Sequence, residues 1–190
     1  MSNLAHFLFR SGPSGISALM RRLLTGYAVF YNRRHKRHGQ LFQNRYKSII
    51  CQEDVYLREL VRYIHLNPIR GKIVPDLKSL DSYPCCGHSA LKGKKANEWQ
   101  EIEHVLGYFG DKIADARKKY RSYVKEGICL GRRPELVGGG LIRGLGGWDE
   151  LKKMRLTGQD RIKSDQRILG DSNFVQEVLS ESEEHVTQCM

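Results

Sequence analysis

The sequence predicts an α+β domain followed by a small helical extension. Two short segments before residue 52 alternate their side chains with the period of a β-strand, whereas several longer segments repeat apolar residues at helical spacing. Gly71 to Lys95 contains two prolines, two Gly-Lys pairs and few periodic apolar residues, so we interpret it as an irregular arm and linker. We therefore predict a boundary near Lys92 to Asn97, between a domain over 1–92 and an extension over 98–180.

The first predicted element is a strand from Leu4 to Arg10. Strand geometry sends alternate side chains to opposite faces, and both faces of this segment are largely apolar. A strand that is apolar on both faces is typically buried in a sheet with neighbours on either side. We expect this strand to be buried, although the remaining sequence offers few candidate neighbours.

A helix and a second strand follow. Apolar residues recur at helical spacing from Ile16 to Tyr31 and predict a helix with a strong apolar stripe. A basic turn over 32–40 leads into the predicted strand Leu41 to Cys51, in which Arg45 and Lys47 share one face. That face suits the phosphates and bases of a nucleic acid. An alternating polar strand is also typical of a half-exposed edge strand.

Glu53 to Pro68 is predicted to be an amphipathic helix of about three turns, capped by Asp54 and ended by Pro68. Four apolar residues form one face of this helix: Leu57, Leu60, Val61 and Ile64. Arg58, Arg62 and His65 form the opposite, polar face. Tyr63 and Asn67 lie one turn apart at the margin between the two faces. A phenol and an amide oxygen at this spacing can converge on one point.

Helical patterns return after the linker. One apolar stripe runs from Trp99 to Phe109 and a second from Ile113 to Val124, and the second helix has a basic flank at Arg117 to Arg121. The glycines over 138–147 match neither a phosphate loop nor a dinucleotide-binding fingerprint, so we interpret them as a hinge. A last helix is predicted to begin at Asn173.

Positive charge is concentrated at the start of the chain. The net charge of +11 and the isoelectric point near 9.6 favour a polyanionic partner. No Asp or Glu precedes Glu53, whereas nine basic residues do: Arg10, Arg21, Arg22, Arg33, Arg34, Lys36, Arg37, Arg45 and Lys47. The alternative interpretation of this block is a solvated basic face.

Other classes of protein are disfavoured by the sequence. The five cysteines are odd in number, scattered and without a C-x-x-C motif, so neither a disulfide framework nor a zinc ribbon is indicated. No apolar run approaches membrane-spanning length, and the first ten residues do not have the pattern of a signal peptide. We expect a soluble, cytoplasmic protein with no membrane partner.

The central run YNRRHKRHGQLFQNRYKSIICQEDVYLRELVRYIHLNPIRGKIV resembles a known family. Its motif GQLFQNRYK, followed by an acidic helix cap and then by RYIHLNPIR, is similar to the central block of REP-associated tyrosine transposases. These are bacterial members of the single-tyrosine HUH transposases. The resemblance extends from about Met1 to Tyr83, and residues 98–179 are similar to a C-terminal extension that some members carry.

The resemblance implies a fold and a chemistry. The family has a ferredoxin-like α+β sheet that binds single-stranded or hairpin DNA, and its tyrosine attacks a phosphodiester to leave a 5′-phosphotyrosine link. By position, the nucleophile is Tyr63, and Asn67 is a ligand of the divalent metal, Mg²⁺ or Mn²⁺, that supports the reaction. The family's His-hydrophobe-His pair reads Leu4-Ala5-His6 here. His6 is then the remaining imidazole ligand, and metal affinity is expected to fall.

The chain begins at the strand that bears this incomplete motif and omits the strand and helix that family members place upstream. We interpret it as a truncated or decayed relative, or as the product of a start codon placed too far downstream. Either origin would leave the strand at Leu4 without its neighbours.

These observations predict a DNA-binding protein of the tyrosine transposase type in which catalysis is impaired. The predicted DNA contacts are Arg33, Arg34, Lys36, Arg37, Arg45, Lys47, Arg62 and Arg70. One alternative is a non-catalytic nucleic-acid-binding module or regulator, and another is a fragment too incomplete to fold stably. The sequence leaves the oligomeric state open between a monomer and a homodimer.

Overall fold

The computed structural model describes residues 4–12, 15–131, 133, 136 and 167–188. The chain divides into two compact units, one over residues 7–48 and one formed by the residues up to His6 together with those from Ile49 onward. Helices predominate and a two-stranded parallel sheet accompanies them, which agrees with the α+β class in its coarse form. Among these residues no helix is long and apolar enough to cross a membrane.

The unit over residues 7–48 contains helix α1 (Ser17–Arg34), as the apolar spacing predicts. Most of its apolar stripe is not buried: Met20 is 6% exposed, whereas Leu19 and Tyr27 are 47% and 51% exposed. The Tyr27 ring contacts Tyr31 and Phe42, with centroids 6.0 and 6.1 Å apart. The helix is confirmed, and most of its apolar stripe is exposed because so short a unit supplies too few apolar partners to cover it.

Both strands predicted before residue 52 differ in the structure. Leu4–Arg10 form no strand and are exposed, so the prediction of a buried strand is wrong. Of the second segment only Ile50–Cys51 is a strand, β1, which pairs in parallel with β2 (Ile168–Leu169). Alternation alone does not make a strand, because its backbone N–H and C=O groups need a partner backbone.

The next element, α2 (Glu53–Arg70), begins at the predicted residue and ends two residues later than predicted, and the predicted cap at Asp54 is wrong. Gln52 occupies the N-cap position, and Asp54 lies in the first turn, where its charge favours the positive end of the helix dipole. Proline is costly inside a helix, yet Pro68 is buried and the last turn continues, with the Gly71 N–H donating to the Asn67 carbonyl at 2.7 Å. The prediction that Pro68 ends the helix is wrong.

One core is shared by α2 and four shorter helices: α3 (Leu77–Asp81), α4 (His88–Leu91), α5 (Ile102–Gly107) and α6 (Ile113–Glu126). Its buried residues are Leu57, Val61, Leu66, Val74, Leu77, Leu80, Leu91, Leu106, Ala116, Tyr120 and Val124. Four of them lie between Gly71 and Lys95, so the prediction of an irregular arm there is wrong. Residues on both sides of 92–97 contribute to this core, and the domain boundary near Lys92 to Asn97 stays a prediction.

The apolar stripes of α5 and α6 are confirmed except at the first residue of each, Trp99 and Ile113, and Ile113 is 51% exposed. Ala116, Tyr120 and Val124 are fully buried on α6, and Leu106 is buried on α5. Trp99 lies before α5 and is 77% exposed, so it does not join the stripe as predicted.

A 3₁₀ helix (Gly127–Leu130) follows α6 and lies against α2. A Cβ atom on Gly127 would stand 2.5 Å from Arg62 Cδ and 2.9 Å from Leu66 Cδ1. Only glycine allows this close approach of the end of α6 to α2.

The last described helix, α7 (Ser172–Gln188), confirms the predicted helix at Asn173 and continues beyond Leu179. Leu60, Leu136 and Leu169 form a second, small apolar cluster, against which Tyr63 packs. The hinge predicted over 138–147 lies outside the described residues.

Candidate functional site

The margin of α2 that the sequence singles out carries Tyr63, Asn67 and Arg70, each of which is partly exposed. The Arg70 guanidinium carbon lies 5.0 Å from the centroid of the Tyr63 ring, and Arg70 Nη1 donates to the Tyr63 carbonyl at 3.3 Å. A guanidinium over a tyrosine ring is a favourable cation–π arrangement. The structure therefore places a positive charge directly beside the predicted nucleophile.

Two hydrogen-bond donors at this margin have no acceptor. Asn67 Nδ2 and Arg70 Nε are buried and make no hydrogen bond. Burying an amide or guanidinium N–H without an acceptor costs about 1–3 kcal/mol. Tyr63 and Asn67 share the margin as predicted, but no hydrogen bond joins them among the described residues.

The predicted metal ligands His6 and Asn67 can be tested for fit on this geometry. His6 is exposed as a residue, but nearby protein atoms partly desolvate its ring and lower the pKa of His6, which favours the neutral imidazole that a metal requires. The unpartnered amide N–H of Asn67 and the guanidinium of Arg70 would both repel a divalent cation next to Tyr63. Within the part of the chain that the structure describes, no group of three His, Cys, Asp or Glu side chains could hold a metal ion. The Arg70 guanidinium and the Asn67 amide N–H are therefore unfavourable neighbours for Mg²⁺ or Mn²⁺ beside Tyr63, and the metal site at His6 and Asn67 stays a prediction.

Arg62 was predicted on the polar face of α2 and among the DNA contacts, but it is 9% exposed. Its Nη2 donates to both carboxylate oxygens of Glu59 at 2.7 Å, and its guanidinium carbon lies 4.0 Å from the Tyr123 ring centroid. The polar-face prediction is wrong, because the approach of α6 at Gly127 covers this side of α2. A phosphate could reach Arg62 only by displacing Glu59.

Glu59 is the centre of this network. Arg62, Arg133 and the Tyr123 hydroxyl all donate to its carboxylate. Burial raises the pKa of Glu59, but the hydrogen bonds from Tyr123 and Arg62 and the charges of Arg62 and Arg133 outweigh it, so the pKa is lower than usual. Burial and the same carboxylate raise the pKa of Tyr123. Glu59 therefore stays ionised and neutralises one of two nearby guanidinium groups.

A second polar network, which sequence reasoning missed, lies inside the core. His65 was predicted on the polar face of α2 but is 8% exposed, and Tyr120 and His88 are 0% exposed. The Tyr120 hydroxyl lies 2.7 Å from Nδ1 of both imidazoles. His88 Nε2 is 2.8 Å from Asp81 Oδ1, and Arg121 Nε donates to Asp81 Oδ2 at 2.8 Å. No single position signals this network, because its residues come from three separate predicted segments: the helix over Glu53 to Pro68, the arm over Gly71 to Lys95, and the helix that begins at Ile113.

The directions of these hydrogen bonds follow from the donors available. Neutral His88 donates from Nε2 to Asp81, so its Nδ1 accepts the one proton of the Tyr120 hydroxyl. The Tyr120 oxygen then accepts from Nδ1–H of His65. Burial, together with the charge of His88, lowers the pKa of His65 to about 3, and burial also lowers that of His88. Both imidazoles are neutral at pH 7, and the network serves packing.

The remaining predicted DNA contacts lie in the unit over residues 7–48, and all of them are exposed: Arg33, Arg34, Lys36, Arg37, Arg45 and Lys47. The turn after α1 is built around the Tyr31 ring, whose centroid lies 4.2 Å from that of His35 and 5.9 Å from the guanidinium carbon of Arg37. Asn32 Nδ2 closes the turn by donating to the Gly39 carbonyl at 3.0 Å. The predicted basic turn is thus an ordered, exposed feature.

Comparison with family models, curated proteins and solved structures finds no match to this chain.

Proposed function

We propose that the chain binds nucleic acid through the surface of residues 7–48, and that this nucleic acid is single-stranded or hairpin DNA. The proposal rests on the positive charge of this surface. All nine Lys and Arg residues before Glu53 are exposed, and the same stretch contains no Asp or Glu. A one-signed surface of this kind attracts a polyanion and gains free energy by releasing its counterions.

Exposed aromatic rings support a single strand rather than a duplex. Tyr27, Phe30 and Phe42 are 51%, 60% and 38% exposed within this unit. Phe30 lies beside Arg33 and Arg34 on α1, with which it lines a shallow hollow. Rings that stack on bases and guanidinium groups that bond phosphates are the elements with which proteins hold unpaired nucleotides.

The proposal includes the family type that the sequence resembles, a REP-associated tyrosine transposase with a partial ferredoxin-like HUH domain. In that arrangement α2 is the helix that carries the tyrosine. Tyr63 and Asn67 on one margin of α2, with the acid-free basic block before it, support this assignment.

Salt dependence of binding tests the main proposal. A labelled hairpin oligonucleotide is titrated with the full chain by fluorescence anisotropy at several salt concentrations, in the presence of EDTA. Substituting Gln at Arg33, Arg34, Lys36 and Arg37 should weaken binding at least tenfold and reduce the slope of log K against log salt by about 3, since each lost phosphate contact on a single strand contributes about 0.7.

A charge-matched control distinguishes an effect of this surface on binding from an effect of the net charge of the chain. Gln at Lys78, Lys112, Lys119 and Lys125, all exposed in the other unit, removes the same charge. Affinity and salt slope should then stay close to those of the parent chain. Equal losses in the two variants would contradict a specific role for residues 7–48.

A second candidate function is cleavage and joining of the bound strand by Tyr63, favoured by the guanidinium of Arg70 over its ring. The phenol oxygen would form a bond to phosphorus and the bond to the 3′ oxygen would break, leaving a 5′-phosphotyrosine and a 3′ hydroxyl. Arg70 would offset the charge that develops on the phosphoryl oxygens. Mg²⁺ or Mn²⁺ at His6 and Asn67 stays a prediction of the family resemblance.

Covalent capture tests the second candidate. The full chain is incubated with a labelled hairpin in Mn²⁺, in Mg²⁺ and in EDTA, and the products are separated under denaturing conditions. A labelled protein band that disappears in Tyr63→Phe and persists in Tyr56→Phe, on the same margin, supports cleavage. A band that persists in Tyr63→Phe refutes it, and no band in any condition leaves binding without catalysis.

A further inference from the structure

The margin of α2 at Tyr63 presents hydrogen-bond donors without acceptors. Asn67 Nδ2 and Arg70 Nε are one helical turn apart, and both are buried without a partner. The described residues provide no partner for the Tyr63 hydroxyl either. Buried polar groups in folded proteins nearly always have partners, so adjacent orphans indicate a missing acceptor.

The charge at this margin is also unbalanced. Arg70, Arg62 and Arg133 are near enough to one another that the two others lower the pKa of Arg70, after the larger effect of burial. Glu59 accepts from Arg62 and Arg133. Among the residues described, no carboxylate pairs with Arg70, whose recorded contacts are the Tyr63 carbonyl and ring. The margin therefore lacks both a hydrogen-bond acceptor and a negative charge.

We infer that Tyr63, Asn67 and Arg70 form an anion-binding site that takes the oxygens of a phosphate group without a divalent metal. A tetrahedral oxyanion supplies several acceptors and the missing charge in one ligand, and arginine bonds such oxygens with paired N–H groups. All three residues are partly exposed, but Asn67 Nδ2 and Arg70 Nε are themselves covered, so a ligand from solvent reaches these two donors only after the side chains over them shift. A metal ion would meet N–H donors and a guanidinium, which do not coordinate cations.

The inference deepens the second candidate function, because a cleaved phosphodiester would occupy the same site, but it does not depend on residues 7–48 or on the binding proposed for them. It concerns a different unit of the chain and a ligand as small as free phosphate. The same chemistry is offered by a phosphodiester, so the two sources are separated by experiment. Inorganic phosphate and dimethyl phosphate represent the free anion and the diester.

The experiment follows the Arg70 side chain directly. The full chain, labelled with ¹⁵N, is titrated with each anion in EDTA, and the Arg70 Nε–H resonance, the backbone amides of Tyr63 and Asn67 and the folded spectrum are recorded by NMR. Saturable shifts confined to this margin are expected. Arg70→Gln should weaken phosphate affinity at least tenfold, and Arg58→Gln, which changes an exposed arginine of the same helix, should leave it unchanged.

A substitution at Asn67 provides a second test of phosphate binding and leaves Arg70 unchanged. Asn67→Asp replaces the donor by a carboxylate, so phosphate affinity should fall at least tenfold. The inference is overturned if neither anion shifts the margin of the parent chain, if Arg70→Gln and Arg58→Gln bind alike, or if Mg²⁺ produces the saturable shifts instead. Phosphate binding that survives Gln at Arg33, Arg34, Lys36 and Arg37 separates this site from the proposed DNA surface.

Discussion

Basic side chains in the two units of the chain have different surroundings. In the larger unit, which contains α2 to α7 and is called the helical unit, Arg62 and Arg133 form salt bridges with Glu59. Arg121 forms a salt bridge with Asp81. The sequence of residues 7–48 contains nine Lys and Arg residues and no carboxylate at all. Charge therefore contributes to packing in the first case, whereas in the second the sequence supplies no carboxylate to balance it.

Burial differs in the same way. Among the residues that the structure describes, the main core of the helical unit contains eleven buried residues, several of them with no exposed surface. On α1 the buried residue is Met20, while Leu19, Leu23, Tyr27, Val29 and Phe30 are exposed. Burial of apolar surface is the main favourable term in folding. Residues 49–131 thus bury much of their apolar surface, whereas residues 7–48 leave most of theirs exposed, as the proposed binding surface requires.

Truncating a core leucine should give the largest effect and test this contrast first. Leu80→Ala, at a position with 0% exposure, should lower the free energy of unfolding by about 2–5 kcal/mol, because it removes buried methyl groups and leaves a cavity. Leu19→Ala on α1, where the side chain is 47% exposed, should change it by about 0.5 kcal/mol or less. Urea unfolding followed by far-ultraviolet circular dichroism measures both. Equal losses would show that α1 belongs to the same cooperative core.

Removing a paired charge should have the next largest effect. Glu59→Gln leaves Arg62 and Arg133 without their carboxylate and should cost about 1–3 kcal/mol, a value at the level of a partly buried charged hydrogen bond. Arg22→Gln, which removes an exposed charge in the middle of α1, should change stability by about 0.5 kcal/mol or less. The midpoint of thermal unfolding at pH 7 compares the two variants. A tolerated Glu59→Gln would mean that the network contributes little to packing.

Acid should destabilise the helical unit, because it contains two buried, neutral imidazoles. The loss of stability expected per pH unit is the smallest of the three effects. His65 has a pKa of about 3 in the folded chain, against about 6.5 when unfolded, so the unfolded chain binds the proton more readily. Stability is then complete above pH 6.5 and is lost as the pH falls toward 3, by about 1.4 kcal/mol for each pH unit per imidazole. His88, whose pKa is also lowered, adds to the slope.

Urea midpoints at pH 7.5, 6.0 and 5.0 measure this dependence. His65→Gln should flatten the curve, and His35→Gln, which changes an exposed histidine outside the network, should not. Direct NMR titration of the His65 ring provides a check that does not rely on a folded variant. A ring that takes up its proton near pH 6.5 would contradict the buried, neutral assignment.

Helices were predictable from the sequence to the extent that their apolar period was regular. The spacing placed α1, α2, α6 and the start of α7 close to their observed positions, because a helix satisfies its own backbone hydrogen bonds. The two strands could not be predicted from alternation, since a strand depends on a partner. β1 finds that partner more than a hundred residues later, at Ile168. The arm over 71–95 joins the core through residues without a visible period.

The candidate site, like the fold, could be predicted from the sequence only in part. Spacing along α2 was enough to place Tyr63 and Asn67 on one margin, and the acid-free composition alone marked the basic block before Glu53. The sequence could not show that Arg62 and His65 would be buried, because the approach of the 3₁₀ helix at Gly127 and the hydroxyl of Tyr120 come from distant parts of the chain. Local order and net charge are properties of neighbouring residues, whereas burial and hydrogen-bond partners arise only when separate helices pack together.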